Sequence, residues 1–512
     1  MCVVSCKTKT TTAAGSEGGI HILRIIIVTF VQIFFIRMKS YKTLIFIIVV
    51  IVLLAAVCLL FPSDGVPFLG RRLFFPTLKE VLSPEKSVSV DEKMRALEES
   101  IKMQAITDSI NTARETARQD SIRFYKKFFT THSARFYLPA DDYSFFDTLF
   151  EAMEQCKTDS SIVHILHYGD SQIEEDRISS YIRQRLQEQF GGMGAGLLPV
   201  MQPIPSASVG QSASGAMERY IIAGMHQNRA PSNRYGILGQ FAIMSGNGSI
   251  SIRSQNYSRT QDNVKKWNVV RLFVGTNTTP LSATLISGKY SKTKSIDAPK
   301  SSPTALTWYL PSPTKQITIN LTGNAELSAV SLDGHYGVNV DNIPIRGSSG
   351  TFFSQIDGNS ISLTAKTLNV RLIMLEFGGN MMPSITQNNI QNYMDILARQ
   401  INYFHKVCPQ AKVILIGPAD MSTKIRGSLQ TYPLLPTLVD EMKNTALASG
   451  AGFWNMYEVM GGENSMIQWV KNNPALAAPD YIHFTPRGAD RIAEMFYESL
   501  NNYYEYYKMR KK

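Results

Sequence analysis

Residues 169–172 read Gly-Asp-Ser-Gln directly after the apolar run 162–168, and Asp480 and His483 stand three residues apart near the far end of the chain. A serine hydroxyl is a poor nucleophile until a base removes its proton. Histidine, with an unperturbed pKa of ~6.5, can take that proton and later return one to a leaving group. A serine at the exit of a buried strand, with a histidine and a carboxylate arriving from elsewhere, is the equipment of acyl transfer. Ser171, Asp480 and His483 therefore become candidates for that chemistry, on the condition that folding closes the long gap between them.

The elements that must close it are legible as alternating strands and helices. The run 162–168 reads as a buried strand ending at the Gly-Asp-Ser turn. An amphipathic helix follows over 177–190, with acidic residues Glu174, Glu175 and Asp176 at its opening, where they suit the helix dipole. The same texture resumes downstream, with strands at 370–377, 413–416 and 453–456. Helices are expected at 388–404, 436–448 and 486–500, the last with Pro486 in its first turn. Such alternation predicts an α/β unit with a parallel sheet covered on both faces. Residues 205–333 differ: short candidate strands (237–243, 249–253, 269–274, 283–286, 305–309, 316–321, 327–332) are separated by Gly, Asn, Ser and Pro. They predict a β-sandwich inserted into the α/β unit.

The chain has 512 residues, 44% hydrophobic and 18% charged, with a net charge of +11. Its Lys and Arg are not clustered densely enough to indicate a nucleic-acid partner. Residues 43–61 carry no charge and are long enough to span a bilayer. Lys39 and Lys42 precede them, which places the N-terminus in the cytoplasm and the body outside. No Ala-x-Ala site ends the apolar stretch, so it reads as a retained transmembrane anchor. The segment 25–36 is too short to span, and residues 1–37 read as an extension upstream of a start at Met38. Residues 62–130 form a connector and a helical stalk, with Met103, Ile106, Ile110, Ala113 and Ala117 as a stripe to rest on the body or a second chain. Of the five cysteines, Cys2 and Cys6 fall in the 1–37 extension and Cys58 in the anchor, and the remaining Cys156 and Cys408 make no disulfide framework and leave their pairing open. No metal-ligand spacing or phosphate loop occurs, so neither a metal nor another cofactor is expected.

Four pieces occur in order: Gly-Asp-Ser at 169–171, Asn-Ile-Pro-Ile-Arg-Gly at 342–347, Gly-Gly-Asn at 378–380, and Asp-Tyr-Ile-His at 480–483. Together they resemble the four blocks of the SGNH (GDSL-type) hydrolases, over about residues 160–200 and 339–500. The resemblance implies a flavodoxin-like, three-layer α/β/α domain built from 131–204 and 334–505, with 205–333 as the insert. It implies Ser171 as nucleophile, His483 as general base and acid, and Asp480 as the group that orients the imidazole. Backbone N–H groups of Ser171 and Gly347 and the amide of Asn380 would receive the oxyanion, a donor set in which each member is typically worth ~10²–10³ in rate. Asp170, Gln172 and His335 are candidate substrate contacts. Gln172 replaces the family's commoner Leu, Met381 replaces an acidic residue, and a helix is expected to begin near Ser349. His164 and His167 read as core histidines. Trp267, Trp308, Tyr309, Tyr257 and Tyr290 offer rings that belong mostly to a core, though any left outside would stack on a sugar.

The layout, an SGNH domain with a β-insert behind a membrane tether, resembles bacterial peptidoglycan O-acetylesterases and related polysaccharide acetyltransferases. It implies an esterase removing O-acetyl groups from an envelope polysaccharide, single-pass in the cytoplasmic membrane with its body in the periplasm or outside the cell. The same residues would serve an O-acetyltransferase fed by a membrane-bound acyltransferase, and a non-catalytic glycan-binding protein could keep the fold.

Overall fold

The computed structural model describes residues 40–62, 65–68, 71–82, 90–224, 227–255 and 265–511. The expected extension 1–37 and Tyr257 lie outside them. The chain divides into two compact units, residues 1–114 and 115–512. In the first, helix Ser40–Leu60 is long and apolar enough to cross a membrane. A second helix, Val90–Thr131, begins in this unit, and its Leu97, Ile101, Met103, Ile106 and Ile110 are exposed.

The second unit holds a six-stranded sheet in the order Gly337–Pro344, Ile162–Gly169, Val370–Glu376, Lys412–Ile416, Gly452–Trp454 and Phe136–Tyr137. The first five strands are mutually parallel and the last is an antiparallel edge. Successive side chains on a strand point to opposite faces, and the core follows that rule. Val163, Ile165, Leu372, Met374 and Ile414 enter one apolar cluster, while Leu166, Tyr168, Ile373, Leu375 and Val413 enter another. Helices Asp147–Asp159, Ser179–Phe190 and Pro486–Lys511 complete the first cluster. Helices Gly358–Thr367, Ile390–Val407 and Leu435–Ala448 complete the second. Helix Ile390–Val407 shows why: Ile390, Tyr393, Met394, Leu397, Ile401 and Phe404 repeat at three and four residues and are all buried. Cys156 and Cys408 are free and belong to different clusters, so the sheet itself keeps them apart.

Strand Gly337–Pro344 has no counterpart among the expected strands, because its Asn339, Asp341 and Asn342 depress β-propensity. The fold satisfies those polar groups instead of exposing them. Asp341 accepts from Leu197 N at 2.7 Å and pairs with His164 Nδ1 at 2.8 Å, while Asn339 Nδ2 donates to Asp333 at 2.7 Å.

Strands from Gly196–Leu198 to Ala325–Asp333 form a separate nine-stranded β-rich sheet. The expected strands 237–243 and 249–253 are one continuous strand, Gln240–Ser254, paired along its length with Val209–Ile221. That partner is rich in Gly and Ser and escapes a propensity reading. Trp267 and Trp308 are fully buried in this sheet's core. The two sheets meet at a polar seam, where His164 lies between Asp341 and Asp333, and Arg271 donates to Asp333 at 2.6 Å. Burial by itself would push the His164 imidazole down, but the two carboxylates outweigh it and raise its pKa to about 9.

Candidate active site

The parallel strands run, in chain order, 2-1-3-4-5 across the sheet, so the crossovers reverse direction between Ile162–Gly169 and Val370–Glu376. A crevice opens beyond the carboxyl ends of strands at such a switch point. Ser171 leaves the first of these strands, and Gly378, Gly379 and Asn380 leave the second. They meet in a recess of about 180 Å3 whose lining includes Ser171, Asn380, Pro418, Met421, Ile482 and His483.

Ser171 opens a single 3-10 turn, Ser171–Ile173, capped by Asp170, whose Oδ1 accepts from Gln172 N at 3.0 Å. A Cβ at Gly169 would sit 3.0 Å from the Ile173 side chain, which would have to give by a few tenths of an ångström. The Ser171 hydroxyl lies 2.9 Å from His483 Nε2, and His483 Nδ1 lies 2.7 Å from Asp480 Oδ2. Asp480 Oδ1 also accepts from the backbone N–H groups of Ile482 and His483, each at 3.0 Å. Tyr481 makes this return possible by adopting a left-handed φ of 58°. Partial burial pushes the Asp480 carboxyl up, yet the hydrogen bonds from His483 and the loop N–H groups outweigh it and leave it below the ordinary value. Asp480 is thereby suited to remain an acceptor beside the imidazole.

The remaining expected residues divide. Asn380 lines the recess, and its amide nitrogen donates to Asp170 Oδ2 at 2.8 Å and to Ser348 O at 3.1 Å. Gly347 has a φ of 71° with nothing within 4 Å of a would-be Cβ, and it is not among the residues that line the recess. Asp170 is buried, its carboxyl raised to about 7 by burial first and by the Glu376 charge, against the pull of Gln172, His483 and Asn380. Its oxygens accept from Gln172 N and Asn380 Nδ2, which makes it a brace within the recess it also lines. Gln172 likewise spends its amide on the loop around His483. His335 precedes strand Gly337–Pro344, at the end of the sheet opposite Ser171, and stacks on Tyr309. It is not brought to this site, because a parallel strand separates its beginning from its end by its full length. The chain expected to form a helix near Ser349 forms a short 3-10 turn at Phe353–Gln355 and a helix only from Gly358.

The segment 174–177 also departs from expectation. It is a turn with left-handed Glu175 and Asp176, and the helix starts only at Ser179. Glu174 is buried against Arg346, and Asp176 is buried against Arg183 at 2.7 Å. These carboxylates pair with the exposed Arg346 and the buried Arg183, not with the helix dipole. Glu376, not anticipated from the sequence, lines the recess and holds His167 Nε2 at 3.0 Å. Its signal was present: a carboxylate ending the apolar strand Val370–Glu376, where a wholly buried strand has no use for one.

No family model matches this chain, and no curated protein does. Among solved structures it is similar to a peptidoglycan O-acetylesterase, with a TM-score of 0.57 at 19% identity over 74% of this chain and 99% of that one. Similarity to the acetyl xylan esterase AlAXEase has a TM-score of 0.24 at 16% identity, over 32% of this chain and 81% of that one. For Est24, a carbohydrate acetylesterase from Sinorhizobium meliloti, the TM-score is 0.24 at 11% identity, over 32% of this chain and 78% of that one. What the first of these likenesses shows is a shared fold.

Proposed function

We propose that this chain is a membrane-anchored, extracytoplasmic serine esterase that removes O-acetyl groups from a cell-envelope polysaccharide. The observation that carries this reading is the unbroken chain Ser171 Oγ, His483 Nε2, His483 Nδ1, Asp480 Oδ2 at 2.9 and 2.7 Å. The fold shared with a peptidoglycan O-acetylesterase supports the substrate class, and helix Ser40–Leu60 supports the anchor. The reading includes a three-layer hydrolase domain, residues 131–204 and 334–505, carrying 205–333 as a β-sandwich insert.

In this mechanism His483 Nε2 takes the Ser171 proton as Oγ bonds to the acetyl carbonyl carbon. The carbonyl oxygen becomes an oxyanion facing the N–H groups of Ser171 and Gly347, and the Asn380 amide joins them by turning one N–H away from Asp170 Oδ2 or Ser348 O. Collapse breaks the bond to the sugar oxygen, which leaves with the proton from His483. Water then gives its proton to His483, attacks acetyl-Ser171 and releases acetate, and the proton returns to Ser171. A recess of about 180 Å3 suits a short acyl group. The side chains of His483 and Asp480 are 38% and 46% exposed, so water reaches the general base. That access favours hydrolysis over transfer to a second sugar, which needs water kept out.

The test is turnover of p-nitrophenyl acetate by the purified full chain in detergent. Ser171→Ala should abolish acetate release without changing the far-ultraviolet circular dichroism. A folded parent chain that releases no acetate, from this ester or from acetylated polysaccharide, would sink the reading.

A further inference from the structure

A second cavity, of about 500 Å3, opens at the end of the parallel sheet where its strands begin. Ile162 and Asn369 form its base, and Arg271, Tyr309 and His335 line it from the β-rich side. It lies a full strand away from Ser171, about 25 Å at ~3.3 Å per residue.

Three features of its lining are unusual. Tyr309 is 62% exposed, although strand alternation buries its neighbour Trp308 completely. Its ring lies nearly parallel to that of His335, at an interplanar angle of 8° and a centroid separation of 5.9 Å. The pair presents two flat, amphipathic rings that the fold does not cover. Between them and the base, Arg271 is fixed by its Nη1 bond to Asp333, while its Nε and Nη2 have no hydrogen-bond partner among the described residues. An anchored guanidinium keeps its remaining donors in one plane and one direction.

The charges around the cavity cancel. His164 and Arg271 stand against Asp333 and Asp341, and Asp333 sits at about 2, where attraction to His164 overcomes its burial. A ligand with net charge gains little Coulomb energy here. A neutral ring with one apolar face and a hydroxylated edge matches the site better: its C–H face covers the exposed rings, and its oxygens accept from Arg271.

We propose that this cavity is a second carbohydrate-binding site, taking a neutral pyranose against Tyr309 and His335 with Arg271 donating to its oxygens. The choice of a sugar rests on the esterase reading, in which the substrate is a polymer long enough to be held here while another unit meets Ser171.

The experiment titrates the full chain in detergent with chitotetraose and xylotetraose by calorimetry, with tetragalacturonate as the anionic comparison. At least one neutral tetrasaccharide should bind, and Tyr309→Ala and His335→Ala should each raise its Kd at least tenfold. Tyr309→Ala should leave kcat/KM on p-nitrophenyl acetate unchanged, which also reports that the protein is folded. No binding of either neutral sugar, an affinity indifferent to Tyr309→Ala, or preference for tetragalacturonate would overturn the proposal. Ser171→Ala separates the two readings, since it should end ester turnover and preserve tetrasaccharide affinity.

Discussion

The side chain of Gln172 grips the backbone on both sides of His483: Nε2 donates to Ile482 O at 2.7 Å, and Oε1 accepts from Phe484 N at 3.3 Å. One amide thus ties the serine turn to the loop carrying the imidazole, much as a short strand would. Gln172→Glu removes the donor and sets a carboxylate against the Ile482 carbonyl. Because misplacement of a base by even ~1 Å can slow a reaction as much as 10²-fold, kcat on p-nitrophenyl acetate should fall about tenfold or more. KM should change little, and a change in KM alone would identify Gln172 as a substrate contact instead.

Asp480 has two jobs on two oxygens, so its substitution can separate them. Asp480→Asn keeps an oxygen able to accept from the Ile482 and His483 N–H groups, but loses the charge facing His483 Nδ1. The loop should hold while kcat drops on the order of 10²–10⁴. Thermal melting beside steady-state kinetics checks this, and equal activity to the parent would remove Asp480 from the mechanism.

Arg183 is fully buried and forked onto Asp176 at 2.7 and 3.0 Å, with Ser208 also donating to that carboxylate. Asp176→Ala leaves the guanidinium buried without its partner, a change that typically costs ~3–5 kcal/mol. Urea unfolding should register a loss of that order, and a loss below ~1 kcal/mol would mean water replaces the carboxylate.

His164 makes stability depend on alkaline pH. Its pKa is raised to about 9 in the fold from 6.5 in the unfolded chain, so the folded state holds the proton more tightly. Its contribution is complete below pH 6.5 and is lost as pH rises through about 9, an effect of about 3 kcal/mol at ~1.4 kcal/mol per unit. The Tm of the parent should decline across that window, and His164→Gln should flatten the decline even if it lowers the Tm overall.

Gly347 and Gly337 give a contrast in what a methyl group meets. Both have positive φ, but a Cβ at 347 meets nothing within 4 Å, whereas one at 337 falls 2.3 Å from the Gly191 backbone. Gly347→Ala should therefore fold with a penalty of only ~1–2 kcal/mol for the left-handed residue. Its rate on p-nitrophenyl acetate should fall if the added methyl stands where the oxyanion must approach. Gly337→Ala should fail to fold stably, as judged by expression and melting.

Ser171, Asp480 and His483 were legible as candidates because they stand at the exit of a buried strand and ahead of a helix, whereas Gly347 and Asn380 were named only through the resemblance to SGNH hydrolases. The strands that carry them were legible because wholly buried strands are nearly uniform in apolar content, as in Val370–Glu376. Polar strands were not: Gly337–Pro344 is buried through its hydrogen bonds with another sheet, and no local window contains those partners. The same holds for Glu174 and Asp176, whose acidic character suggested a helix start but whose partners, Arg346 and Arg183, are supplied by folding.

The sequence by itself determined which groups are available for acyl transfer and the order in which alternating elements deliver them, since residue type and hydrophobic period are local properties. Only the tertiary structure decided that Gln172 braces the His483 loop and that Asp170 holds Asn380. It alone sent His335 to the opposite end of the sheet, beside Tyr309. Those outcomes depend on which strand ends the crossovers bring together, and that is fixed by burying both faces of the sheet at once.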